Sequence, residues 1–191
     1  MLPASLQRPS RAELWQCTQL FCGGTESTSN KGSELMGRLA EMKNSPLFEG
    51  LSDAEIDSLE SLLEEKRITE GKTVFVENML GESLYLIGQG TIKISKMLAE
   101  GDEKILVILG PEDFFGEMAI LEGTPRSATA RVAEDACLLS LQRKDFEAFC
   151  EKNPKLGLKL MRNIVRTFSR RVRENSEEYR EMLLWSLSQK G

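Results

Sequence analysis

Between Phe114 and Val132 the chain reads Phe-Phe-Gly-Glu-Met-Ala-Ile-Leu-Glu-Gly-Thr-Pro-Arg-Ser-Ala-Thr-Ala-Arg-Val. These residue types at this spacing suit an anion. Gly116 permits a tight backbone, and residues 117–121 can form one helical turn whose first N–H groups lack an intrahelical partner. Gly123-Thr124-Pro125 turns the chain back. Arg126 follows at the head of a strand, where its planar fork can bind two phosphate oxygens at once. Ser127 and Ala128 are small, so a ligand can approach their backbone. Glu117 is out of place beside an anion unless it accepts a hydrogen bond from a ligand hydroxyl, such as a ribose 2′-OH. Alone, Arg126 is a surface arginine after a proline and Glu117 a solvated helix residue. The set, at this spacing, is what points to a site.

The remaining composition narrows the chemistry. The 191 residues include no histidine, which removes the usual general base, the usual triad partner and the commonest zinc ligand. No pair of acids stands in a recognisable catalytic motif, so an enzyme is not expected. Cys17, Cys22, Cys137 and Cys150 fit no zinc spacing and make no disulfide scaffold. They read as reduced thiols, and no metal or cofactor is expected. A net charge of −5 argues against a general nucleic-acid binder. No apolar run approaches the roughly 20 residues that span a bilayer. Arg8, Arg11 and Glu13 interrupt the order of a signal peptide. The expected location is cytoplasmic, with no membrane partner.

The elements that must position the anion site change character along the chain. Residues 1–32 are rich in Ser, Thr, Gly and Pro and read as a weakly ordered tail. Residues 33–42 suit a short helix halted near Pro46. Ser52 and Glu55 form a capping box, opening a helix with Ile56, Leu59, Leu62 and Leu63 on one face. Short β-branched or apolar runs follow at 73–76, 83–87, 91–95, 104–109, 128–133 and 136–141, punctuated by glycines, with a hairpin at Gly101-Asp102. Helical period returns at 143–150, and Pro154 opens a long helix at its first turn. The fold class is α+β: an antiparallel β-roll, of the double-stranded β-helix or jelly-roll kind, flanked by N-terminal helices and a long C-terminal helix. The expected divisions are 1–32, 33–153 and 154–191.

With Phe115-Gly116-Glu117 and Arg126-Ser127-Ala128 inside such a roll, the segment resembles the phosphate-binding cassette of the cyclic-nucleotide-binding domain family. Ser-Pro-Leu-Phe-Glu-Gly-Leu-Ser at 45–52 and the Gly71…Tyr85-Leu86-Ile87…Gly90 pattern belong to the same resemblance, which covers roughly residues 45–175. That family includes the catabolite activator protein, kinase regulatory subunits and cyclic-nucleotide-gated channels. The resemblance implies that Glu117 holds the ribose 2′-OH and Arg126 neutralises the cyclic phosphate of cAMP or cGMP. It implies that the backbone of Gly116, Glu117, Met118 and Ala128, with the Ser127 hydroxyl, completes the phosphate cage. Val107, Leu109 and Phe115 become apolar walls, with Ile94 a weaker candidate. Ser127 inclines the ligand toward cAMP, as in the catabolite activator protein, while a hydroxyl at this site also suits cGMP in some family members, so both ligands stay open. Transcriptional members carry a helix-turn-helix after the long helix; too few residues follow here for one, so DNA binding by that route is not expected.

The family also places residues of the long helix over the purine. Counting from Asn153-Pro154 selects Arg171; matching the local text selects Asn175 and Ser176, and both remain open. Val165, Phe168, Val172, Asn175, Tyr179 and Met182 follow an a/d spacing that suits a parallel homodimer through residues 161–183 or packing on the chain's own roll. Lys155, Lys159, Arg162, Arg166, Arg170 and Arg173 make a basic face, either solvated or a dock for an acidic protein partner or nucleic acid. The function expected is a regulatory sensor that binds a cyclic nucleotide and signals through this helix. The competing reading is a ligand-independent dimerisation scaffold of the same fold.

Overall fold

A computed structural model describes residue 39, residues 42–98 and residues 102–188, with the helical side chains after residue 177 described only at 180. All of these fall in one compact unit, Leu35–Gly191. The expected tail at 1–32, most of the expected helix at 33–42, and Gly101 of the hairpin lie outside the described residues.

The chain enters through a 3-10 turn at Pro46–Phe48, whose Ser45 side chain accepts the Leu47 N–H. The first helix, α1 (Asp53–Asp57), starts where the capping box places it: Ser52 accepts from Glu55 N–H while the Glu55 carboxylate accepts from Ser52 N–H. The helical face expected through Leu63 is corrected here. α1 ends at Asp57, a 3-10 turn covers Glu60–Leu62, and Leu63 begins strand β1 (Leu63–Ile68). The apolar spacing is real but serves two short turns that dock Ile56 and Leu59 into the core.

Five further strands follow: β2 (Thr73–Phe75), β3 (Ser83–Met97), β4 (Glu103–Leu109), β5 (Phe114–Phe115) and β6 (Thr129–Gln142). The sheet runs β1-β6-β3-β4, with β2 on β6 and β5 on β3, and these pairings are antiparallel. The runs at 83–87 and 91–95 are one strand, not two, as are those at 128–133 and 136–141. Gly88 and Gly90 do not turn the chain; the β3–β6 register shifts between Ile87 and Gln89 and again between Gln89 and Thr91. Such bulges bend a long strand into a roll without ending it. β3 and β4 pair from Ile92↔Leu109 to Met97↔Glu103, which is the hairpin geometry expected around residues 101–102.

Strand alternation divides the interior into two cores, because successive side chains point to opposite faces. Leu84 and Leu86 of β3, with Leu139 and Leu141 of β6, face a helical core containing Phe48, Ile56, Phe146, Phe149, Leu160 and Ile164. Tyr85 and Ile87, with Leu138 and Val132, face the inside of the roll beside Ile92, Leu109 and Phe115. Removing a side chain such as Leu86 costs about 2–5 kcal/mol by transfer and cavity terms together.

Three helices complete the unit: α2 (Glu117–Glu122), α3 (Arg143–Lys152) and α4 (Pro154–Ser188). The first half of α4 is fastened down. Leu156, Leu160, Ile164 and Thr167 are buried, Asn163 donates to the carbonyls of Leu47 and Glu49 at 2.9 and 2.8 Å, and Lys159 reaches Glu55 at 2.7 Å. Two residues of the basic face are engaged at the surface: Lys159 and Arg166 pair with Glu55 and Glu49. Beyond Thr167 the described side chains are mostly exposed. Among the described residues no helix is long and apolar enough to cross a membrane.

Candidate functional site

Arg126 lies in the loop three residues before β6 and not at the head of the strand as expected, held at both backbone ends by the loop after β2: its N–H donates to Met79 O and its carbonyl accepts from Asn78 N–H. The side chain turns inward and is only 5% exposed. Nη1 donates to the carbonyls of Ser83 (2.8 Å) and Gly116 (3.2 Å), and the guanidinium carbon lies 4.0 Å above the Phe75 ring centroid. Burial pushes its pKa below the ordinary value, and the charges of Tyr85 and Glu117 partly oppose that. Among the described residues no carboxylate comes within 4 Å of it, and its Nε is buried without a hydrogen-bond partner. A buried charge with no carboxylate in contact is costly. An anion entering beside Arg126 removes that cost.

Gly116 makes the seat possible. It adopts φ 78° as the N-cap of α2, a conformation that strains any residue with a Cβ. Its bare Cα also clears room for Arg126. Gly81 does the same from the other side, since a Cβ there would collide with Nε of Arg126. α2 then presents its first N–H groups, which have no intrahelical acceptors. Glu117, its first residue, is 9% exposed, and Arg171 is the described cation within ion-pair range, at 3.9 Å.

These groups line one cleft of about 190 Å³. Every residue expected for the cassette and its walls is on its lining: Gly116, Glu117, Met118, Arg126, Ser127, Ala128, Val107, Leu109, Phe115 and Ile94. The open side is covered by α4 through Phe168, Arg171, Val172, Glu174 and Asn175. The two alignments of the helix are not exclusive, because Arg171 and Asn175 stand one turn apart and both face the cleft. Ser176 is exposed and is not among the lining residues. Phe75, Tyr85, Gly81 and Asp113 were not legible as site residues. Each acts through a contact distant in sequence: Phe75, Tyr85 and Phe115 form an aromatic cluster with centroids 5.3–6.1 Å apart beneath Arg126. A second void, of about 20 Å³, lies in the helical core, lined only by apolar side chains.

The geometry therefore combines a buried cation, free helical amides, an inward carboxylate and an apolar wall. It suits a small anion that also carries a hydroxyl and a flat apolar body. Residues 65–153 match the family model described as the Cyclic nucleotide-binding domain. The Cyclic AMP receptor protein of Thermus thermophilus is 37% identical over 133 residues, covering 70% of this chain and 60% of that protein. The chain thus spans less than two thirds of that relative's length. The crystal structure of the Thermus thermophilus catabolite activator protein is similar with a TM-score of 0.65 and 35% identity, over 72% of this chain and 63% of that one. The regulatory domain of Toxoplasma gondii PKA, crystallised with cAMP, gives 0.53 and 31%, over 64% and 46%.

Proposed function

We propose, from the premise that this chain carries a cyclic nucleotide-binding domain of the β-roll kind, that the cleft binds a 3′,5′-cyclic mononucleotide and that α4 reports its presence. The observation that carries the reading is Arg126: a residue only 5% exposed, with no carboxylate within 4 Å among the described residues, facing the first amides of α2. In this reading Arg126 and the backbone of Gly116, Glu117, Met118 and Ala128, with the Ser127 hydroxyl, take the cyclic phosphate. Glu117 accepts from the ribose 2′-OH. Val107, Leu109, Phe115 and Ile94 flank the ribose and base, and Asn175 faces the base from α4.

cAMP is the favoured ligand over cGMP. Ser127 supports it, as does the amide of Asn175, whose donor and acceptor match the paired acceptor and donor of an adenine edge. The signal arises because α4 has two regimes. Its first half is tied to Leu47, Glu49 and Glu55; its second half stands over the cleft and changes position only by the energy the ligand adds in one position over another. The exposed stripe Met161, Val165, Phe168 and Val172 supports a homodimer through this helix. The free, half-buried Cys150 suits a reducing, cytoplasmic setting.

Thermal unfolding with a panel of cyclic mononucleotides tests the reading. A ligand at a hundred times its Kd adds about 2.7 kcal/mol, which raises Tm by roughly 5–10 °C for a chain of this size. No shift with any of them, in a protein that is dimeric, supports the scaffold reading instead.

A further inference from the structure

α2 is a six-residue helix, too short to hold its own shape. Its posture is set by what grips its two ends. At the N-terminal end, Nη1 of Arg126 donates to the Gly116 carbonyl at 3.2 Å. At the C-terminal end the grip comes from Arg143, the first residue of α3. Gly123 caps α2 at φ 65°, and a Cβ built on it would lie 2.9 Å from Cζ of Arg143 and closer still to Nη1. The guanidinium thus rests directly on the bare Cα of Gly123.

The last turn of α2 carries no basic residue of its own. Its final carbonyls lack intrahelical partners and form the negative end of the helix dipole. Arg143 brings a positive charge to that end from another element. Two contacts fix where it stands. Its N–H donates to Glu82 O at 2.7 Å, and its Nε donates to Glu147 Oε1, one turn along α3, at 2.7 Å. Glu82 lies between Gly81, which clears space for Arg126, and Ser83, whose carbonyl accepts from Arg126. One residue therefore ties the far end of α2 to the segment that seats Arg126.

We propose that Arg143 is a positioning residue for the anion site: it sets the angle at which α2 turns its first amides toward the space beside Arg126. The inference rests on the cyclic-nucleotide reading of the cleft. Arg143 is not among the residues lining that cleft, so its effect on affinity passes through α2.

Wild type, Arg143→Ala, Arg143→Lys and Arg162→Ala are titrated by calorimetry with cAMP and cGMP and melted without them. Amide hydrogen exchange is followed along the whole chain, residues 117–122 included. Arg162 is exposed and outside the cleft lining, so its variant removes the same charge from a surface position. Arg143→Ala is expected to weaken cAMP about fivefold, the scale of a cation at a helix C-terminus. Exchange within residues 117–122 should quicken while Tm without ligand stays within about 3 °C of wild type. Arg143→Lys keeps the charge and should recover part of both effects. An Arg143→Ala affinity within about twofold of wild type overturns the proposal. So does a loss no larger than that of Arg162→Ala, which marks a long-range charge effect, or a lysine variant no better than alanine. A loss that comes with faster exchange throughout the chain and a lower melting temperature assigns Arg143 to general stability and overturns it as well. A wild type that binds neither nucleotide overturns the functional reading and this inference together.

Discussion

Gly116 and Arg126 share one space: a Cβ built on Gly116 would lie 2.6 Å from Nη1 of Arg126 and 2.9 Å from the Ser83 carbonyl oxygen to which that Nη1 donates. Gly116→Ala adds backbone strain of about 1–2 kcal/mol at φ 78° and drives the guanidinium off its seat. The expected outcome is a folded protein, a few degrees less stable, whose affinity for cAMP falls by about tenfold or more. Calorimetry and thermal melting measure the two effects. Wild-type affinity in this variant would mean that Arg126 does not act from the seat described.

A second prediction concerns the exposed stripe of α4. Val165 is half exposed and lies outside the cleft lining, unlike Phe168 and Val172. Val165→Glu therefore charges the proposed dimer face without touching the site. Sedimentation should show a wild-type dimer and a monomeric variant, with the variant's nucleotide affinity close to wild type. A wild type that is monomeric with and without nucleotide removes the dimer and leaves the binding site standing.

Much of this was legible because local rules and global fold agree. Ser52 and Glu55 cap a helix where their spacing says they must, and β3 announced itself in Leu84–Ile87 because both of its faces are buried. The cassette was legible because Gly116, Glu117 and Arg126 are close in sequence. β1 was missed: its Glu64, Glu65, Lys66 and Arg67 hide the alternation of a strand covered on one side. The merging of runs into β3 and β6 was missed because Gly88 and Gly90 look like turns until the partner strand fixes the register. Phe75 under Arg126 and Asp113 beside Arg171 depend on long-range closure, which no local spacing encodes.

The tether of α4 to the entry segment carries a pH signature. Lys159 above all, then the backbone N–H of Ser52, lowers the pKa of Glu55 below its ordinary value near 4.5. A carboxyl depressed in the folded state contributes stability that is fully present above its unfolded pKa and lost as pH falls through its folded one. Glu55→Gln should therefore be less stable than wild type near neutrality, and the difference should shrink once pH drops below about 4.5. Urea unfolding midpoints of both proteins across this range measure it. A difference that stays constant with pH would contradict the Glu55–Lys159 tie.

Arg126, buried with no carboxylate within 4 Å among the described residues, is proposed to take a cyclic phosphate, and one titration bears on it directly. Wild type and Arg126→Ala are titrated by calorimetry with cAMP and cGMP, and circular dichroism confirms that the variant folds. Removing one side of a buried charge pair costs about 2–5 kcal/mol, or roughly 30- to several-thousand-fold in affinity. The account predicts saturable binding by wild type and a loss of that size in the variant. Binding by wild type with less than about tenfold loss in Arg126→Ala would contradict it.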